Sequence, residues 1–337
     1  MHMADALISP AVGGAMWAVS AATVAWCSKK VKEDLDERKV PLMGVLGAFV
    51  FAAMMINFTI PGTGSSGHLG GGLLLAVLLG PHAAFLVIAS ILVVQALFFA
   101  DGGLLALGCN IFNLGFFPAF FAYPLIYKPI AGKKATATRL TLGAVLAAVA
   151  GLQLGAFSVV LETTLSGITA LPFTTFVLLM QPIHLAIGLV EGVVTASVVS
   201  FVWKANPQIL EGRFAGASPG SVQLKHVALA LLLAALLTGG FVSWFASSNP
   251  DGLEWATERT AGTSELAGTD ALHSLMAQIQ EKTAFLPDYS FASPAPGASG
   301  ESGRLGTTVS GIAGGLITLA LAFLTGLVLK KRLPGRG

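Results

Sequence analysis

The chain has 337 residues, of which 54% are hydrophobic and only 11% charged, with 40 glycines and a formal net charge of +2. Charge that sparse cannot coat a soluble protein of this size, so the composition excludes a soluble globular domain and points to an integral membrane protein. The two cysteines, Cys27 and Cys109, lie in or beside apolar runs with no pairing pattern, so a disulfide framework is not expected.

Nine apolar segments are long enough, or nearly so, to cross a bilayer, which takes about 20 residues. They run approximately Leu7 to Cys27, Val40 to Ile60, His68 to Leu79, Ala83 to Phe99, Leu104 to Ile126, Leu140 to Leu161, Thr174 to Trp203, Leu224 to Ala246 and Thr307 to Leu329. The third is short enough to be tilted or re-entrant. The first lacks a preceding basic region and a small-residue cleavage pattern, so it reads as an uncleaved helix. Alternation of period two is absent, which argues against a β-barrel. The expected fold is an all-α polytopic membrane helix bundle with nine transmembrane segments.

Lysine and arginine orient it. Five fall in Lys29 to Lys39, four in Lys128 to Arg139, three at Lys204, Arg213 and Lys225, and four in Lys330 to Arg336. All of these face the cytoplasm if the N-terminus is outside and the C-terminus inside. The remaining three, Arg259, Lys282 and Arg304, share the long loop 247–306. Residues 1–205 then form one membrane bundle, 206–220, rich in Gly, Pro and Ser, a cytoplasmic linker, and 221–337 a two-helix module with a large outer loop. Within that loop a helix is expected over Glu265 to Lys282 and a mobile stretch over Ala292 to Gly303.

Two stretches carry ligand chemistry. A free amine on Met1, the amide nitrogen of residue 2 and the imidazole of His2 can wrap one ion. Amine and amide close a five-membered ring, and amide and Nδ1 close a six-membered one. One corner of a plane remains, and His68 in Pro61-Gly62-Thr63-Gly64-Ser65-Ser66-Gly67-His68 is the candidate for it. Nitrogen donors in a plane suit Ni(II) or Cu(II) better than tetrahedral Zn(II). The orientation above puts Met1, His2 and His68 on one face, although it takes no account of metals. Each has a plainer reading, His2 as a frayed terminus and His68 as a helix cap. Ser65 or Ser66 is expected to orient an imidazole by a hydrogen bond. Asn57 stands one turn below the loop, where its amide must find a partner in loop or tail. Asp5 is placed to cap the first helix.

The opening MHMADALISP, the turn PGTGSSGHLGGGLL, the segment LVVQALFFADGGLLALGCNIFNLG and the later NPDGLE together resemble a known family. They are similar to the substrate-binding membrane subunits of energy-coupling-factor cobalt and nickel importers, and NPDGLE to their small partner subunit, here fused to the main one. The resemblance covers nearly the whole chain. It implies uptake of Ni2+, or Co2+ for cobalamin synthesis, as transported substrate. It also implies a multi-pass location in the cytoplasmic membrane, among lipid. The expected partners are a transmembrane coupling protein and ABC ATPase subunits, with no nucleic acid. It implies further that the loop carrying Asn249, Pro250, Asp251, Gly252, Leu253 and Glu254 engages the substrate subunit and helps load or gate the ion. Read alone, those six residues are a turn followed by a helix start.

His184 and Glu191 lie seven apart on one helix face. Ionisable groups at that depth are costly, so they line an ion path, touch a partner subunit or hydrogen-bond neighbouring helices. They also support a rival reading, an ATPase-independent secondary transporter or channel. Gln95, Asp101, Asn110 and Asn113 are expected to brace the bundle. The chain has no GxxxxGK[ST] loop and no HExxH, so it neither hydrolyses ATP by that route nor resembles an intramembrane zinc protease, and no enzyme activity is expected.

Overall fold

The computed structural model describes residues 2–34, 39–132, 135–211, 222–263, 266, 268, 270–291 and 301–330. A helix stands at each of the nine expected places. In chain order these are α1 (Pro10–Asp34), α2 (Val40–Met54), α3 (Gly72–Leu79) and α4 (Pro81–Phe99). Next comes a continuous rod made of α5 (Leu107–Ile111), π-helical turns over Phe112–Tyr127 and α6 (Lys128–Ala131). Then follow α7 (Ala137–Ser166), α8 (Phe173–Ala205), the short α9 (Gln208–Glu211) and α10 (Leu224–Gly240). The loop helices α11 (Gly252–Ala261) and α12 (Ala271–Thr283) precede the final α13 (Glu301–Leu329).

Six of these rods are long and apolar enough to cross a membrane, among them Pro81–Phe99, Ala137–Ser166 and Phe173–Ala205. Val40–Met54 and Leu224–Gly240 are apolar but shorter. The eight residues of α3 rise only about 12 Å.

The fold departs from the all-α expectation at one point, and that point carries His68. Strands β1 (Phe58–Ile60) and β2 (Ser65–Gly67) pair antiparallel, Phe58 opposite Gly67 and Ile60 opposite Ser65. Gly62 and Gly64, with φ of 78° and 77°, make the reversal between them. Three-residue strands leave no periodic trace in a sequence, which is why the hairpin reads there as a plain glycine-rich turn.

Small residues set the helix spacing. A Cβ on Gly188 would lie 2.8 Å from the Val149 Cα and one on Gly192 2.5 Å from the Val145 Cα, so α7 and α8 meet backbone to backbone. The helices beyond residue 221 pack into the same bundle. Gly44 of α2 faces the Leu319 carbonyl of α13, and α10 meets α13 where Gly239 abuts Gly311.

Of the linker, residues 206–211 are described, with Asn206 Nδ2 donating to the Val222 carbonyl at 3.0 Å, and 212–220 lie outside the described residues. The expected loop helix is α12, starting at Ala271; Glu265 and residues 292–300 lie outside the described residues. Asp5 does not cap the first helix. Ser9 Oγ accepts from the Val12 amide at 3.4 Å instead, because the tail turns once through a short 3₁₀ helix, Asp5–Leu7, before α1 begins at Pro10.

Candidate metal centre

The N-terminal tail is threaded into the end of the bundle. Asn110 clamps Met3 from both sides, Oδ1 accepting from its amide at 2.8 Å and Nδ2 donating to its carbonyl at 3.2 Å. Asp5 Oδ1 accepts from the Ala106 amide at 2.9 Å. A Cβ on Gly103 would overlap the Asp5 carboxylate, so only glycine admits the tail there. From α12, His273 Nε2 donates to the carbonyls of Asp5 and Ile8 at 2.9 and 3.0 Å. The result is a buried His2, its side chain 6% exposed.

His68 follows β2, and Gly67 lets that strand press onto α8, where a Cβ would lie 2.4 Å from Ile187 Cγ1. The two imidazoles come together, stacked with centroids 4.8 Å apart and planes 21° from parallel. Burial pulls both down to about 3, so each ring is neutral at ordinary pH and able to act as a nitrogen donor.

Hydrogen bonding assigns the tautomers. The Tyr289 hydroxyl donates to Asp101 Oδ2. It therefore accepts from Gln95 Nε2, at 3.1 Å. That orients Gln95 Oε1 toward His2 Nε2, 3.2 Å away, so Nε2 carries the proton. The lone pair of His2 Nδ1 then faces Asp101 Oδ1 at 3.3 Å. At His68, Nδ1 donates to the Leu69 carbonyl at 3.1 Å, leaving the Nε2 lone pair toward Asp251 Oδ2 at 3.9 Å. Two nitrogen lone pairs are thus set against two carboxylates, an arrangement suited to a cation. Burial raises Asp101 above the usual carboxylate range. Burial pushes Asp251 up too, but opposing charge and the Glu254 amide hold it below that range.

Among the described residues, no three His, Cys, Asp or Glu side chains sit close enough to hold a metal by themselves. The proposed donor set needs backbone nitrogen from the first two residues, and Met1 lies outside the described residues.

The NPDGLE loop docks directly on this site. Asp251 Oδ1 accepts from the Leu253 and Glu254 amides, both at 2.8 Å, and Glu254 Oε2 accepts from the Asp251 amide at 2.9 Å, a capping box that starts α11. The Ser66 amide donates to the Pro250 carbonyl at 2.8 Å. Trp255 Nε1 donates to the Thr63 carbonyl at 3.0 Å, and the Ser247 amide to the Asn57 carbonyl at 2.7 Å. A Cβ on Gly252 would lie 2.5 Å from Ile183 Cγ2, so glycine is required for this approach. Leu253 is buried beneath the loop. A cavity of about 730 Å³ opens beside it, lined by His2, His68, Asp101, Asp251, Glu254 and Tyr289, among others.

Several expected roles change. Ser65 and Ser66 do not orient an imidazole. Ser65 Oγ pairs with Thr63 Oγ1 at 2.8 Å, and Ser66 Oγ donates to the Asn249 carbonyl at 2.8 Å, because β2 turns their hydroxyls toward its own turn and the docked loop. Asn57 holds that loop through its backbone. His184 and Glu191 are both buried inside the chain, at 0% and 2% exposure, and His184 lies against Gly252 of the fused module. Glu191 Oε2 accepts from the Gly70 amide at 2.6 Å, anchoring the glycine segment behind His68. His184 Nδ1 donates to the Met180 carbonyl at 2.8 Å. It shares a cavity of about 10 Å³ with His68, Asp251 and Gly252, so it is not remote from the capture site. Gln95 and Asp101, expected to brace the bundle, instead touch His2. A glutamine inside a largely apolar helix of 19 residues is the available signal, since such an amide must find a partner. Tyr289 had no signal at all.

Residues 2–209 match the family model described as the cobalt uptake substrate-specific transmembrane region, and residues 225–331 match the PDGLE domain. A putative fused nickel transport protein of Archaeoglobus fulgidus is 31% identical over 333 residues, covering 96% of this chain and 97% of that protein. A fused nickel transport protein of Rhodobacter capsulatus is 30% identical, covering 99% of this chain and 100% of that one. The crystal structure of a truncated transition metal transporter is similar with a TM-score of 0.53 at 32% identity, over 60% of this chain and 98% of that chain. Apolar helices and transporter relatives make this a multi-pass membrane transport protein, not an enzyme, and the chain belongs to the cobalt-uptake substrate-specific transmembrane family with a PDGLE domain joined to it.

Proposed function

We propose that the chain captures a divalent transition metal, nickel first, as the substrate-specific component of an ATP-driven importer. The donors are the Met1 amine, the His2 amide nitrogen, His2 Nδ1 and His68 Nε2. The observation that carries this reading is the hydrogen-bond assignment that leaves those two ring nitrogens with inward lone pairs. A deprotonated amide in a flat nitrogen set favours Ni(II); copper is set aside on availability rather than affinity. Cobalt is the runner-up, and relatives described as nickel and as cobalt transport proteins both support the metal class.

In this reading the chain crosses the membrane nine times, with the capture end outside and the C-terminus inside, and residues 206–220 link the two fused subunits on the cytoplasmic side. A transmembrane coupling protein and ATPase subunits supply the energy. Calorimetry of nickel and cobalt against the purified chain tests it, with His68→Ala as the variant. The expected result is tighter binding of nickel than cobalt and a loss of at least tenfold on removing His68. Unchanged nickel affinity in His68→Ala would contradict the donor set.

A further inference from the structure

Four side chains close a ring at the capture site: His2, Gln95, Tyr289 and Asp101. Three come from the first 101 residues and one from the far end of the chain, 188 positions beyond Asp101. We infer that Tyr289, supplied by the PDGLE module, is a positioning residue of the capture site that fixes which nitrogen of His2 bears the proton. This rests on the reading of His2 as a ligand given above.

The tyrosine relays the direction of the ring from Asp101 to Gln95. A carboxylate accepts only, so the hydroxyl proton goes to Asp101 and the hydroxyl oxygen must accept from Gln95. Without that hydroxyl the Gln95 amide is free to turn over and present Nε2–H to His2. The ring would then take its proton on Nδ1, the nitrogen needed for the chelate. A metal-ligating histidine is ordinarily held in this way through its other nitrogen, and loss of such a partner costs about 10- to 100-fold in affinity.

The surroundings are built to deliver the hydroxyl. The Tyr289 ring stacks on Phe99 at 5.0 Å and 17°, and meets Phe51 edge-on at 6.2 Å. The backbone turns there through two successive non-glycine residues with positive φ, Asp288 at 50° and Tyr289 at 58°. Such conformations persist only where surrounding contacts enforce them. The packing holds the ring without the hydroxyl, so the hydroxyl's own contribution is separable. Leu286 and Gln280 seat the same segment, the Leu286 amide donating to the Phe98 carbonyl at 3.3 Å and Gln280 Nε2 to the Gly102 carbonyl at 2.7 Å.

The test is Tyr289→Phe in the full chain, which keeps the ring packing and removes only the hydroxyl. Imidazole ¹⁵N shifts of the metal-free protein, whose six histidines are assigned by substitution, report the His2 tautomer directly. The native chain should show Nε2–H, and the variant a mixture or Nδ1–H. Nickel affinity by calorimetry should fall about tenfold or more, in a chain that remains folded. A variant that keeps the Nε2–H tautomer and native affinity overturns the inference, as does weakened binding without a tautomer change. A native chain that binds no nickel instead overturns the reading of His2 as a ligand, and this inference with it.

Discussion

Asp251 serves two masters: one carboxylate oxygen starts helix α11 while the other lies 3.9 Å from Nε2 of His68. The turn motif of the fused module is therefore both a helix cap and part of the wall of the capture site. Asparagine caps a helix about as well as aspartate. Asp251→Asn should leave the unfolding temperature unchanged but slow nickel association severalfold and flatten its salt dependence, as expected when a steering charge is removed. Asp251→Ala should in addition cost about 1 kcal/mol of stability. Stopped-flow association at several ionic strengths reads both, and an Asp251→Asn chain with native rate and salt slope would show that the carboxylate matters only as a cap.

Glu191 separates an anchor from an ion path. Its acceptance from the Gly70 amide at 2.6 Å holds the backbone two residues beyond His68. Glutamine retains an acceptor, so Glu191→Gln should bind nickel nearly as the native chain does. Glu191→Leu leaves a buried amide without a partner, at a cost of about 1–3 kcal/mol. It should lower both the unfolding temperature and nickel affinity. If Glu191→Gln abolishes transport while leaving binding and stability intact, the carboxylate is a stage on the ion's route instead.

His273 links the tail to pH. Its ring donates to the carbonyls of Asp5 and Ile8 and pairs with Asp270 at 2.9 Å, with the Asp5 carboxylate also facing it. Burial alone would lower it, but the Asp270 partner and these carbonyls outweigh that and raise it above 6.5. A raised histidine stabilises the fold fully below its unfolded value and loses that contribution as pH climbs through its folded value. Tail protection should therefore be highest below 6.5 and fall as pH rises through that higher folded value. Hydrogen exchange of residues 4–8, corrected for intrinsic rates, measures it. Protection that stays flat with pH, or is unaltered in His273→Phe, would exclude the clamp.

What a sequence discloses here follows from how local each feature is. Long apolar runs announce α4, α7 and α8, because a bilayer-length helix is encoded by consecutive residues. His2 and His68 stand out as imidazoles beside glycine and a chain start, with chelate geometry that depends on neighbouring atoms alone. The hairpin around Gly62 and Gly64 is too short for any periodicity. Tyr289 reaches Gln95 across 194 positions, and no pattern in the intervening chain marks the pairing. Helix spacing gives His184 a face but not the neighbour on it. The docked Gly252 supplies that neighbour.

The central claim is that the start of the chain is itself a ligand. One alanine added before Met1 moves the amine out of chelate register while leaving His2, His68 and the hydrogen bonds around them in place. Nickel titrated into purified native and extended chains should bind the first tightly and the second at least a hundredfold more weakly, with equal unfolding temperatures in the absence of metal. Equal nickel affinity in the two chains would contradict the account.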